Sequence, residues 1–363
     1  MPPPIPPRRR GRLAGRLALA GILALATAGC AAPGRADYAA QQPAGPAVAP
    51  RFTDRAFIAE DGARLPLHAW LPAGPVKAVI LALHGFNDYS QAFAGPGALL
   101  AARGIATYAY DQRGFGAAPL RGRWPGRWRL AEDLGEASRV LRRRYPGVPL
   151  YLLGESMGGA VVIVAEAGLA GIERPAADGI ILVAPAVWGR ATMNAAERVA
   201  LWAGIRLAPS LALTGRGIIH VQPSDNIAML RALGRDPLVI KATRIDAIYG
   251  LVDLMDAALA AAPRLDMPLL YLYGGRDEIV PRTPTELMIA RLPAAARSRQ
   301  RVAWYANGYH MLLRDLDAAV VVGDIAGWVA AKSAPLPSAA DRYAAALLGP
   351  KLMAQAPAPS RLR

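Results

Sequence analysis

Cysteine occurs once in 363 residues, at Cys30, so the chain can close no disulfide of its own and offers no cysteine-built metal site. Histidine is nearly as scarce: His68, His84, His220 and His310 stand at spacings that gather no metal. Lysine is limited to Lys77, Lys241, Lys332 and Lys351, which leaves arginine to carry a net charge of +15. No basic cluster interleaved with aromatics marks a nucleic-acid surface. Arg121, Arg123, Arg127 and Arg129 with Trp124 and Trp128 come nearest, and they read as solvated surface. The apolar run Leu13 to Ala28 is broken by Gly15, Arg16 and Gly21 and is too short to span a bilayer comfortably. No internal repeat is visible. What is present is apolar bulk, 53% of the chain, enough for a large core. Once both ends are trimmed, residues 51–332 suit one large α/β domain with an insertion, or two smaller domains.

The ends read as something other than fold. Residues 1–29 have the features of an export signal: arginines Arg8, Arg9, Arg10, Arg12 and Arg16, no acid, a short apolar run and small residues at its close. The closing stretch Ala26-Thr27-Ala28-Gly29-Cys30 resembles the lipobox of bacterial lipoproteins, with Thr27 where leucine is usual. That resemblance makes Cys30 the candidate lipidation site and implies a membrane-anchored protein of the bacterial cell envelope. The alternatives are a secreted or periplasmic protein cleaved near Ala28, and a retained N-terminal anchor. Residues 30–50, rich in Ala, Pro, Gly and Gln, predict a flexible tether. Residues 333–363 are again rich in Ala and Pro and predict a mostly unstructured tail, with a short helix over Ala339–Leu347 as the alternative.

Between the ends, strand-like and helix-like segments alternate. Arg55–Ile58 and Leu65–Leu71 flank the turn Asp61-Gly62 as an opening hairpin. Buried-type strands are predicted at Ala78–Leu83, Ile105–Tyr110, Leu150–Leu153, Gly179–Ala184, Leu269–Tyr273 and Arg301–Tyr305, with helices over Leu130–Tyr145 and Leu316–Ala331. This alternation predicts an α/β fold, a mostly parallel sheet with helices on both faces. Residues 186–262 interrupt it with helical character and predict a lid over the strand ends. Trp188, Met193, Trp202, Met229, Tyr249, Leu251 and Met255 are candidates to line an acyl pocket or to pack lid helices together.

The chemistry concentrates at Gly154-Glu155-Ser156-Met157-Gly158, followed by Gly159, between a strand-like run and a helix-like one. A serine between glycines in that setting is a nucleophile elbow, which holds the hydroxyl on a sharp turn. Serine needs a base, and the base needs an orienting acid. Of the two histidines that follow Ser156, His310 stands in a loop after a strand, whereas His220 falls inside the lid block. Asp277 follows a strand end and two glycines, while Asp246, Asp253, Asp256 and Asp266 sit on or beside helices. The oxyanion of acyl transfer needs two backbone donors, expected from Met157 and from Phe86 in the loop after Leu83. His84 reads as packing or hydrogen bonding in that loop. This chemistry calls for no cofactor and no metal.

Together, His84-Gly85-Phe86-Asn87, Asp111-Gln112-Arg113-Gly114-Phe115-Gly116, the elbow, Gly274-Gly275-Arg276-Asp277-Glu278-Ile279-Val280-Pro281 and Gly308-Tyr309-His310-Met311-Leu312-Leu313-Arg314-Asp315 resemble the monoacylglycerol lipase/lysophospholipase group of α/β-hydrolases, which overlaps the serine aminopeptidase S33 family. The resemblance spans roughly residues 55–332. It implies an α/β-hydrolase fold with a helical lid, catalytic Ser156, Asp277 and His310, oxyanion donors Phe86 and Met157, and a small-molecule or lipid ester substrate. Phe115 departs from the family, where histidine is frequent. Two other readings remain: a peptidase or amidase, and a non-catalytic envelope lipoprotein that keeps the fold for binding.

Overall fold

Runs dominated by Val, Ile, Leu, Ala and Tyr, with no polar alternation, offer no face to water and belong inside a sheet covered on both sides. The computed structural model describes residues 47–214 and 221–354 and places them so. The chain opens with β1 (Arg51–Phe52), β2 (Ala56–Ile58) and β3 (Arg64–Trp70), paired antiparallel. Next come β4 (Ala78–Leu83), β5 (Ile105–Tyr110), β6 (Leu150–Glu155) and β7 (Gly179–Val183), all buried from end to end. A short ribbon, β8 (Ala212–Leu213) with β9 (Thr243–Arg244), stands apart from the main sheet. The sheet is completed by β10 (Leu269–Gly274) and β11 (Gln300–Tyr305), in the order β1-β2-β3-β5-β4-β6-β7-β10-β11. From β5 onward every neighbour is parallel, so the C-terminal ends of β4, β6, β7, β10 and β11 share one edge. Leu83 pairs with Gly154, which sets the loop after β4 beside the loop after β6.

Helices cover both faces. On one, α1 (Ala94–Ala101) packs on β3 and β5. On the other, α2 (Arg127–Arg144) lies beside α3 (Met157–Glu166), which packs on β4, β6 and β7. The inserted block holds α4 (Ala195–Leu207), α5 (Ile227–Arg235) and α6 (Ile245–Ala261). Then follow α7 (Arg282–Arg291), α8 (Ala318–Ala330) and α9 (Ala340–Ala354). Strand period fixes the faces: Ile80, Tyr151, Leu153, Ile181, Val183, Leu270 and Leu272 enter one core with Val321, Val322, Ile325 and Trp328 of α8.

Three expectations change. The lid block is not uniform: α6 buries Ala247, Gly250, Leu254, Ala258 and Leu259 and packs on α2 and α3, so it belongs to the sheet domain rather than to a lid. Trp202 is exposed under the Arg206 guanidinium, whereas Met255 is buried with α6. The tail is ordered through Ala354 as α9, with Leu336, Ala340, Ala344 and Leu348 buried, packed against β11. Asp341 pairs with Arg301, and Asp324 on α8 accepts from Ser338 N–H (2.9 Å). The helix over Ala339–Leu347 given as the alternative is the reading that holds, extended to Ala354, and what hides it is alanine. It looks like low complexity, yet it is the best helix former and lets a helix sit close to a strand. At the other end, Val48 N–H already donates to the Glu60 carbonyl (2.8 Å), so the last residues of the expected tether are part of the domain. The export signal, Cys30 and His220 lie outside the described residues.

Candidate active site

Ser156 stands between β6 and α3 with φ 52° and ψ −115°, a left-handed backbone that costs energy for any residue with a side chain. Its carbonyl caps the start of α3 through Ala160 N–H (3.2 Å) and also accepts from Ala186 N–H (2.8 Å), while its own N–H donates to Val183 (2.9 Å). These bonds hold the strain. The turn leaves no room for its neighbours: a Cβ on Gly158 would lie 2.1 Å from the Leu83 carbonyl oxygen, and one on Gly154 would lie 2.4 Å from that of Gly158. Close approach, more than conformational freedom, requires glycine at both places. Met157 opens α3, so its N–H has no intrahelical acceptor and sits at the positive end of the helix dipole.

The loop after β4 reaches over the serine. A Cβ on Gly85 would lie 3.4 Å from Ser156 Cβ. His84 is fully buried, and its tautomer follows from its partners. Gln112 N–H donates to Nε2 (2.9 Å), so the proton is on Nδ1, which donates to the Gly85 carbonyl (2.8 Å). Burial lowers the His84 pKa and keeps it neutral, as the Gln112 bond requires. The Gln112 side chain in turn donates to the His84 carbonyl (2.8 Å). Beneath this loop Phe115 meets Phe86 edge-on at 5.5 Å and His84 at 5.7 Å, and Trp124 meets Phe86 at 6.4 Å. Phe115 therefore supports the loop after β4 as a buried aromatic.

Asp277 and His310 come from the loops after β10 and β11. His310 Nδ1–H donates to Asp277 Oδ2 at 2.8 Å, and both side chains are nearly buried. The other carboxylate oxygen accepts from Ile279 N–H (2.8 Å) and Val280 N–H (2.9 Å), which fixes the acid's orientation. Burial works against the imidazolium. The Asp277 carboxylate outweighs it, Glu155 adds to the gain and Arg314 opposes it, so the His310 pKa is held above its ordinary value of 6.5. With Nδ1 committed, Nε2 is the nitrogen left for an external proton.

The structure also gathers groups that the sequence left unassigned. Arg314 pairs with Asp88 at 2.7 Å and with Glu155 at 3.3 Å. Asp88 belongs to the loop after β4 and Glu155 directly precedes Ser156, so the His310 loop is pinned against both. Glu155 and Arg314 stand inside motifs visible in the sequence, but their pairing spans 159 residues and leaves no local trace. The inserted block is tied to the same loops. On the N-terminal side of α5, Ser224 Oγ donates to Asp315 (2.6 Å) and Asn226 Nδ2 to the Arg314 carbonyl (3.0 Å). On its C-terminal side, Asp236 accepts from Tyr89 (2.7 Å) and Ile240 N–H donates to the Asn87 carbonyl (2.9 Å). Helix α5 itself buries no residue. Among the described residues no cluster of His, Cys, Asp and Glu is arranged to hold a metal, and no helix is long and apolar enough to cross a membrane.

A parallel sheet whose strand ends carry a strained serine on a strand-to-helix turn and a buried Asp–His pair defines an α/β-hydrolase fold. Comparison with known proteins agrees. The serine aminopeptidase S33 family matches residues 74–317, and the chain belongs to that family. It is 28% identical over 282 residues to the monoglyceride lipase of Rattus norvegicus, covering 75% of this chain and 89% of the relative. To the monoacylglycerol lipase of Mycolicibacterium smegmatis it is 24% identical over 291 residues, covering 76% of this chain and 96% of the relative. Among solved structures, a soluble variant of the Saccharomyces cerevisiae monoglyceride lipase with a substrate analogue shares the fold at a TM-score of 0.62 and 21% identity, over 78% of this chain and 95% of that one. The monoacylglycerol lipase of Paleococcus ferrophilus does so at 0.58 and 22%, over 73% and 98%.

Proposed function

We propose that the protein is a serine ester hydrolase that cleaves monoacylglycerols or similar single-chain carboxylic esters, lysophospholipids included, through an acyl-serine intermediate. His310 Nε2 takes the Ser156 proton as Oγ attacks the ester carbonyl. The oxyanion so formed is held by the N–H groups of Phe86 and Met157, each worth about 10²–10³ in rate. Collapse breaks the bond to the alcohol, and the imidazolium delivers its proton to the departing oxygen. A water then gives its proton to His310 and attacks the acyl carbonyl. The second collapse frees the carboxylic acid, and the proton returns to Ser156. Asp277 holds the Nδ1–H tautomer throughout and stabilises the cation.

The observation that carries this reading is the 2.8 Å Asp277–His310 bond, which commits Nδ1 and leaves Nε2 as the nitrogen to take a proton. The kinship with monoglyceride lipases supports the substrate class. A serine at the elbow, where epoxide hydrolases and dehalogenases of this fold carry a carboxylate, points away from those chemistries. A fluorophosphonate probe should label the wild type and leave Ser156→Ala unlabelled; an unlabelled wild type would overturn the assignment. On untreated enzyme from a preparation that the probe labels, p-nitrophenyl esters of graded chain length should turn over and p-nitroanilides should not. Faster anilide turnover would make the protein an amidase.

A further inference from the structure

Two carboxylates and one guanidinium are buried together where three loops meet, and the hydrolytic steps above leave all three without a part. Glu155 ends β6, Asp88 lies in the oxyanion loop, and Arg314 lies in the loop that carries His310. The first two are nearly inaccessible and the Arg314 side chain is only 10% exposed. Burying three charges is costly, and a cluster of this kind is replaceable by apolar groups if stability alone is at stake. Its placement is specific. Arg314 Nη1 meets Asp88 Oδ2 at 2.7 Å, Nη2 meets Glu155 Oε2 at 3.3 Å, and the Arg314 carbonyl accepts from Asn226. Asp88 N–H donates to the Gly85 carbonyl at 3.3 Å, the same carbonyl that His84 holds.

We propose that Arg314 is a positioning residue for the reaction: by bridging Asp88 and Glu155 it sets the His310 loop, the elbow and the oxyanion loop in one register. This rests on the serine hydrolase reading. The planar guanidinium reaches two carboxylates at once along fixed directions, which a lysine ammonium does not reproduce. The cluster carries one more negative than positive formal charge, and its Glu155 side faces the imidazole. The groups facing His310 are Asp277 from the β10 loop, Glu155 from the end of β6, and Arg314 and Asp315 from its own loop, with Asp88 acting through Arg314. The Glu155 carboxylate favours the imidazolium that forms as Ser156 attacks.

The test uses full-length protein with a soluble p-nitrophenyl ester, thermal unfolding as the check on folding, and fluorophosphonate labelling as the check on chemistry. Arg314→Met is expected to lower kcat by roughly 10²-fold with little change in KM, since a misplacement of about 1 Å in a catalytic group has that effect. Arg314→Lys should recover part of the loss. Glu155→Gln leaves Arg314 paired with Asp88 and removes one negative charge beside the base. The acid limb of kcat/KM should therefore move to lower pH, a shift that a purely structural role would not produce. If Arg314→Met does not fold, Glu155→Gln decides alone. Wild-type kcat in folded Arg314→Met, or an unmoved acid limb in folded Glu155→Gln, would overturn the inference. If the wild type itself is not labelled, the hydrolase reading fails first, and the two failures are told apart.

Discussion

At the residue scale, Ser156, Asp277 and His310 leave marks in the sequence because their chemistry makes local demands. The elbow needs glycines where a Cβ would strike backbone, and the acid and base need flexible loops directly after strands. Chain order then selects among few candidates, since histidine is scarce. Long-range polar pairing makes no such local demand. Nothing near Arg314 announces that its partners are Asp88 and Glu155, and nothing near His84 announces that Gln112 fixes its tautomer. Asp277→Asn is expected to keep the loop packed, because both backbone donors from Ile279 and Val280 can still reach the Asn oxygen. It should lower kcat by roughly 10³–10⁴-fold through the wrong imidazole tautomer. In the wild type the base must be neutral to take the serine proton. Its pKa is raised, so kcat/KM should fall as pH drops through a midpoint above 6.5. A pH–rate profile measures this, and a midpoint below the ordinary imidazole value would contradict the electrostatics described.

At the element scale, the strands were legible because an unbroken apolar run of six residues has few other uses. The inserted block was legible only as an interruption. Its helices share one composition, yet α6 is sheet-domain core and α5 is a surface strap; the difference lies in what they pack against. The tail shows the opposite error, where Ala and Pro suggested disorder and packing supplied order. Ending the chain after Lys332 would remove Leu336 and Leu348 from the core together with the Asp341–Arg301 and Ser338–Asp324 contacts. The expected loss of unfolding free energy is on the order of 4 kcal/mol from apolar burial, read as a lower urea midpoint. A truncated protein with an unchanged midpoint would mean that α9 adds nothing to the domain.

At the scale of the whole molecule, the described residues form a hydrolase domain, and the first 46 residues stand outside them. We propose that this leader delivers the domain to a bacterial envelope and that lipid on Cys30 holds it there. The lone cysteine at the end of a small-residue run supports the proposal. Cys30→Ser should shift the protein from the membrane fraction to the soluble fraction while ester turnover per labelled serine stays the same. Unchanged partitioning would count against lipidation.

The ties at the two ends of α5 carry a consequence for how this helix and the loops after β4 and β11 move together. One end is bonded to the loop that carries His310 and the other to the loop after β4. A helix with no buried residue has little else to hold it down. Coupling of this kind is reciprocal: whatever free energy the two loops gain by being ordered under the helix is the free energy the helix must give up to lift. Helix and loops thus share one coordinate, and whatever steadies the loops also holds the helix down.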